Sequence, residues 1–116
     1  MKSTVFQPNQ VRSHTAYAKN VFYSVFVTSR GGPNRTRLMW LIRRGHVTNA
    51  RVAKLLGLNY LTVKYHLQVL ERNNLVIHKG EKRNVMFSIS TFFEINSVLF
   101  DEICRLNEVD VWQPES

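Results

Sequence analysis

Residues 57–70 read GLNYLTVKYHLQVL, and as a helix this stretch has two unlike sides. Val63, Leu67 and Leu70 fall together at the i, i+4, i+7 spacing of a buried stripe. Leu61, Lys64, Tyr65, Gln68 and Arg72 fall on or near the other side, which is basic, aromatic and amide-bearing, with no carboxylate among them. A solvated helix face ordinarily mixes both signs of charge. This one is suited to meet something flat, polar and negative.

Working outward, Asn59 is placed to cap this helix, and Asn73-Asn74 to end it, because asparagine tolerates the left-handed conformation that a helix terminus often needs. Upstream, Thr48 caps a short helix over 49–56 that packs through Val52, Ala53 and Leu56 and is closed by Gly57. Before it, a helix from about Asn34 to Arg44 turns Leu38, Leu41 and Ile42 inward and stops at Gly45. Downstream the period changes: LVIHK (75–79) and NVMFSIS (84–90), joined by the polar GEKR, read as a β-hairpin.

The flanks are helical. Ser13 caps a helix running to about Ser29, with Tyr17, Val21, Phe22, Val25 and Phe26 in line, and Gly31-Gly32-Pro33 breaks it. Ala16, Ala18, Tyr23 and Val27 widen its stripe, so it is buried on several sides. Ser90 or Thr91 opens a last helix to about Val109, with Phe92, Ile95, Leu99, Ile103 and Leu106 at three- and four-residue steps. Residues 1–12, polar and containing Pro8, form a loose arm, and 111–116 a tail.

The net charge of +8 is unevenly spread. Residues 30–83 hold twelve Lys and Arg against Glu71 and Glu81 alone, whereas residues 91–116 hold six acids and only Arg105. A basic middle with an acidic end implies a polyanion for the middle and another partner for the end. At 116 residues, 44% of them hydrophobic, the chain is about one domain with its own core. Cys104 is the only cysteine, so no intrachain disulfide forms and a reducing, cytoplasmic setting is expected. No signal peptide is evident, and the longest apolar run, VFYSVFV (21–27), is far too short to span a bilayer.

Helix, helix, short turn, helix and basic hairpin in that order leave one helix exposed along its outer side. An α-helix fits the major groove of B-DNA, about 12 Å wide, and its first turns reach base edges. Asn59, Tyr60, Leu61, Thr62, Lys64 and Tyr65 occupy those turns. Lys64 can donate to guanine O6 or N7, or to a phosphate; Tyr60 and Thr62 suit phosphate oxygens, and Leu61 a thymine methyl. The hairpin tip, with Lys79, Lys82 and Arg83, is short enough to lie over a phosphate strand or enter the minor groove. Arg35, Arg37, Thr48 and Gln68 complete the expected DNA contacts, and the basic run Arg43, Arg44 and Arg51 surrounds them. His66, near the core stripe, is read as a packed, hydrogen-bonded structural histidine.

The stretch PNRTRLMWLIRRGHVTNARVAKLLGLNYLTVKYHLQVLERNNLV (33–76) resembles the winged helix-turn-helix of ArsR-type regulators, most nearly an archaeal-like branch in which a tyrosine opens the recognition helix and TVKYHL continues it. NRTRL (34–38) and HLQVLERNNLV (66–76) are its most specific pieces, and weaker similarity extends through FFEINSVLFDEI (92–103). The resemblance implies a mainly α fold with a small β-hairpin, in which residues 33–90 form the DNA-binding winged helix-turn-helix. It further implies a homodimer held by an N-terminal helix (13–30) and a C-terminal helix (91–110), through Tyr17, Val21, Phe22, Val25, Phe26, Phe92, Ile95, Leu99, Ile103 and Leu106. Metal-sensing members of that family use cysteine pairs or Asp/His/Glu sets on particular helices. Here the helix after Thr48 has no cysteine and the terminal helix no histidine, so no metal and no cofactor is expected.

The function implied is sequence-specific double-stranded DNA binding by a homodimer that regulates transcription, with no membrane association. The alternative is a sequence-blind architectural DNA-binding protein or a winged-helix protein-interaction module. The mixture of Asn59, Tyr60, Thr62, Lys64 and Gln68 favours base readout over either, since a sequence-blind binder would depend on lysine and arginine alone. An enzyme is not expected: there is no G-x-S-x-G, no phosphate-cradling glycine loop and no H-E-x-x-H.

Overall fold

The computed structural model describes residues 15–45, 48–82 and 85–114. The arm, Ser13 and Arg83 therefore lie outside the described residues. Eight segments follow one another: α1 (Ala16–Tyr23), α2 (Gly32–Arg43), α3 (Asn49–Leu56), α4 (Tyr60–Arg72), β1 (Val76–Lys79), β2 (Met86–Ile89), α5 (Thr91–Ile95) and α6 (Ser97–Leu106). A π turn, Ser24–Thr28, extends α1, and a short 3-10 turn, Val109–Val111, follows α6. This is the mainly α architecture with a small antiparallel hairpin that the sequence indicates.

Local chemistry explains most of the boundaries. The Thr48 hydroxyl accepts from Arg51 N–H at 3.3 Å and starts α3, while Gly57, at φ 68°, lets the chain turn left-handed and end it. The Asn59 side chain accepts from Leu61 N–H at 2.7 Å and starts α4. Asn74, at φ 60°, takes the left-handed position after α4, and Leu75 N–H closes the end on Leu70 O at 2.9 Å. In the hairpin Val76 pairs with Ile89 and His78 with Phe87 on the side toward α4, and Ile77 with Ser88 and Lys79 with Met86 on the other. The Ser90 hydroxyl donates to Asn74 O at 2.6 Å and accepts from Phe93 N–H at 3.0 Å, so one side chain ties the hairpin's return to the end of α4 and caps α5.

Three boundaries differ from the sequence reading. The cap of α1 is Thr15, whose hydroxyl accepts from Ala18 N–H at 3.1 Å. The regular helix stops at Tyr23 and widens into the π turn; α2 begins at Gly32, so Gly32 and Pro33 open a helix instead of breaking one. Proline is preorganised for a first helical turn. Gly32 lies so close to Phe26 that a Cβ there would stand 2.4 Å from the Phe26 carbonyl oxygen. The last helix is divided at Asn96, whose side-chain amide donates to Phe92 O at 2.9 Å while its own N–H bonds Phe93 O at 3.0 Å.

The core joins the two ends of the chain. Phe22 stacks on Phe93 at 5.9 Å, Phe93 meets Phe100 edge-on at 5.0 Å, and Phe100 meets Phe26 at 5.2 Å. Phe22, Val25, Phe26, Leu99 and Ile103 are at most 3% exposed. The expectation that these five face a second copy is corrected: they face their own chain. Aromatic side chains bury the most area of any, and the α1 and α5–α6 segments satisfy each other's wide apolar faces within one protomer. Of the other residues in that expected interface, Tyr17 (67% exposed), Ile95 (42%) and Leu106 (63%) remain at the surface, and Val21 and Phe92 are half-buried.

Candidate nucleic-acid interface

Helix α4 packs on α3 and on β1 through Val63, Leu67 and Leu70, the stripe read from the sequence, all at most 2% exposed. That burial turns Tyr60, Leu61, Thr62, Lys64, Tyr65 and Gln68 to solvent. Tyr60 and Tyr65 are about half exposed and Leu61 is 67% exposed, which is unusual for side chains of that size unless something covers them.

Between α4, the start of α3 and the inner face of the hairpin runs a groove of about 400 Å³. Its walls include Thr48 and Asn49 from α3, Tyr60, Lys64 and Gln68 from α4, and Lys82 from the hairpin tip. The structure thus brings together Thr48, the α4 residues and Lys82, all separated in sequence. Lys79 lies exposed at the end of β1.

Sequence reasoning missed a pair in the same groove. His78 Nδ1 and the Glu71 carboxylate are in hydrogen-bond contact, 2.5 Å apart, tying β1 to the last turn of α4. Glu71 is one of the two acids in the basic middle of the chain, and that scarcity was the available signal. The contact gives Glu71 a hydrogen-bond partner within its own chain on a surface that otherwise presents cations.

Two of the expected contacts are placed elsewhere. Arg35 is 5% exposed and is corrected from a DNA contact to an internal tie. Its Nε donates to Val25 O at 3.0 Å, one terminal nitrogen donates to Ser29 Oγ, and the other lies 3.2 Å from His66 Nδ1. Burial lowers the affinity of its guanidinium for the proton, but arginine stays charged in proteins. His66, 6% exposed, is the packed, hydrogen-bonded histidine expected, held below the ordinary histidine range first by burial and then by the Arg35 charge. Arg37 stands apart from the wing groove. It donates to Asn34 Oδ1 at 3.4 Å and lies 5.8 Å from the Trp112 ring, in a second cleft shared with Lys54 and Gly57.

Part of the basic run is also used internally. Arg43 pairs with Asp101 at 2.6 Å, and Arg44 lies 3.9 Å over the Trp40 ring. Cys104 is buried, and burial followed by the Asp101 charge pushes its thiol up to about 12, so it stays protonated and unreactive near neutral pH. Among the described residues no three His, Cys, Asp or Glu side chains gather as a metal site, and no helix is long and apolar enough to cross a membrane.

No family model and no curated protein matches the chain. A solved structure does: reduced HlyU from Vibrio cholerae N16961 superposes with a TM-score of 0.58 at 21% identity, covering 77% of this chain and 88% of that one. At that identity the likeness concerns the backbone. With the α2–α3–α4 arrangement and the hairpin, it makes the fold a winged helix-turn-helix.

Proposed function

We propose that this chain is a sequence-specific double-stranded DNA-binding transcription regulator that acts as a homodimer, with α4 in the major groove and the basic hairpin on the backbone or in the minor groove. The observation that carries the proposal is the outer side of α4: six consecutive-turn side chains of mixed donor, amide and apolar character, all exposed, beside a groove that ends on Lys82. Lys64, Gln68 and Asn59 suit base edges, whereas Thr48, Tyr60, Thr62, Lys79 and Lys82 suit phosphates. The HlyU likeness supports a regulator's scaffold and leaves the reading of bases to these residues.

Dimerisation is argued from the surface that the protomer core leaves over. Tyr17 on α1 and Ile95, Val98 and Leu106 on α5–α6 are 42–67% exposed on elements that pack together. A two-fold pair would set two α4 helices in successive major grooves about 34 Å apart. Selection of bound duplexes from a random pool at fixed salt tests the reading: a pseudo-palindromic winner is expected. No enrichment would favour the sequence-blind or docking alternative. Leu106→Glu is expected to reduce the light-scattering mass from dimer to monomer.

A further inference from the structure

Helix α4 is held from behind by a cation without an anion. Arg35 bonds the Val25 carbonyl, the Ser29 hydroxyl and the His66 ring, and none of these is a carboxylate. The π turn supplies the first partner, the Val25 carbonyl, which also accepts from the Ser29 hydroxyl at 3.2 Å. The bond to His66 spans 31 positions and is the direct polar tie from α2 to the buried edge of α4.

That tie has a requirement. A guanidinium only donates, so His66 Nδ1 must carry a lone pair, and the ring is neutral with its proton on Nε2. A proton on Nδ1 would set donor against donor and charge against charge in a site that is largely closed to water. The charged and titratable groups acting on the pair from the elements around it are few. Arg35 from α2 acts on His66, and Tyr65 from α4 acts on Arg35; Val25 and Ser29 offer only a carbonyl and a hydroxyl.

We propose that the Arg35–His66 hydrogen bond positions α4 for base reading, and that protonation of His66 releases it, so that preference for the specific sequence falls at acid pH while overall attraction to DNA persists. The proposal rests on the DNA reading above. Base contacts need α4 held in register, whereas contacts to phosphate tolerate its displacement and gain from one added positive charge. Arg35 and His66 are positioning residues; neither reaches the outer surface.

The test is the ratio of affinities for a selected duplex and a random duplex at constant ionic strength, at about pH 7.5 and in steps down through the ordinary histidine range and below it to about pH 4.5, because burial and the Arg35 charge hold His66 below that range. In the wild type the ratio is expected to fall about tenfold, the order set by one charge-assisted hydrogen bond. His66→Asn puts an amide oxygen near the place of Nδ1 and does not titrate, so its ratio should stay level. Gly31→Ala supplies a second probe. Its φ of −82° suits any residue, yet its Cβ would stand 2.5 Å from an Arg35 terminal nitrogen and 2.8 Å from His66 Cε1. It should lower the ratio at every pH of the series.

A wild-type ratio that does not change with pH, His66→Asn tracking the wild type, or Gly31→Ala equal to the wild type near neutral pH would each overturn the proposal. If His66→Asn does not fold, the wild-type and Gly31→Ala outcomes decide. A wild type with no preference even at neutral pH is a failure of the DNA reading itself. In that case the nitrogen-15 shifts of His66 judge the bond alone, and a protonated Nδ1 near neutral pH would refute it.

Discussion

The two sides of α4 put positive charge to opposite uses. On the outer side Lys64 extends into solvent beside Gln68 and two half-exposed tyrosines, free to meet a phosphate or a base. Behind the helix Arg35 is 5% exposed and spends its donors on a carbonyl, a hydroxyl and an imidazole of its own chain. Both are cations in one basic stretch. Depth decides between them: a charge removed from water must be hydrogen-bonded internally, and once it is, it can no longer serve a ligand. A basic run therefore counts toward a nucleic-acid surface only after its buried member, Arg35, and its internally engaged ones, Arg43 on Asp101 and Arg44 over the Trp40 ring, are set aside.

The contrast is open to attack from both sides. The largest effect should come from the inner one. Leu70, fully buried on α4, should cost about 2–5 kcal/mol of stability when changed to Ala, measured by urea unfolding, while the folded fraction keeps its DNA preference. Lys64→Ala should do the reverse. Stability should stay within about 0.5 kcal/mol, and affinity for the preferred duplex should fall by about 1–3 kcal/mol if the contact is to a base. Equal loss on random DNA would reduce Lys64 to a phosphate contact.

A smaller effect belongs to the pair behind the helix. His66 holds its proton less well folded than unfolded, so below about pH 6.5 the unfolded chain takes up the proton first. Stability is therefore full above that pH and falls as pH drops toward the folded value; a pH series of unfolding midpoints that His66→Asn flattens would assign the loss to this ring. Smallest is Lys82→Ala at the groove's end, which should leave sequence preference alone and reduce the slope of log K against log salt by about one. An unchanged slope would remove the hairpin tip from the interface.

How far the site could be read from residues alone differed from place to place. The outer face of α4 was legible because Val63, Leu67 and Leu70 fix which side is buried, and whatever is opposite must be exposed. His66 was legible for the same reason, by its angle to that stripe. Arg35 was not: on α2 it sits among polar residues, and its burial follows from Val25, Ser29 and His66 arriving from other elements. The Glu71–His78 pair was missed because it joins a helix to a strand, where no spacing rule applies.

The sequence by itself determined the central elements and their ends at Thr48, Gly57, Asn59 and Asn74, together with the buried stripe and the hairpin, because caps, turns and apolar periods act over a few residues. Only the tertiary structure decided whose surface covers the wide apolar faces of α1 and α5–α6, and which arginine lies inside. A broad apolar face specifies that it must be covered and not by what. Phe22 and Phe26 found Phe93 and Phe100 about seventy positions away in their own chain, and among the described residues of these helices that choice left Tyr17, Tyr23, Ile95, Val98 and Leu106 exposed.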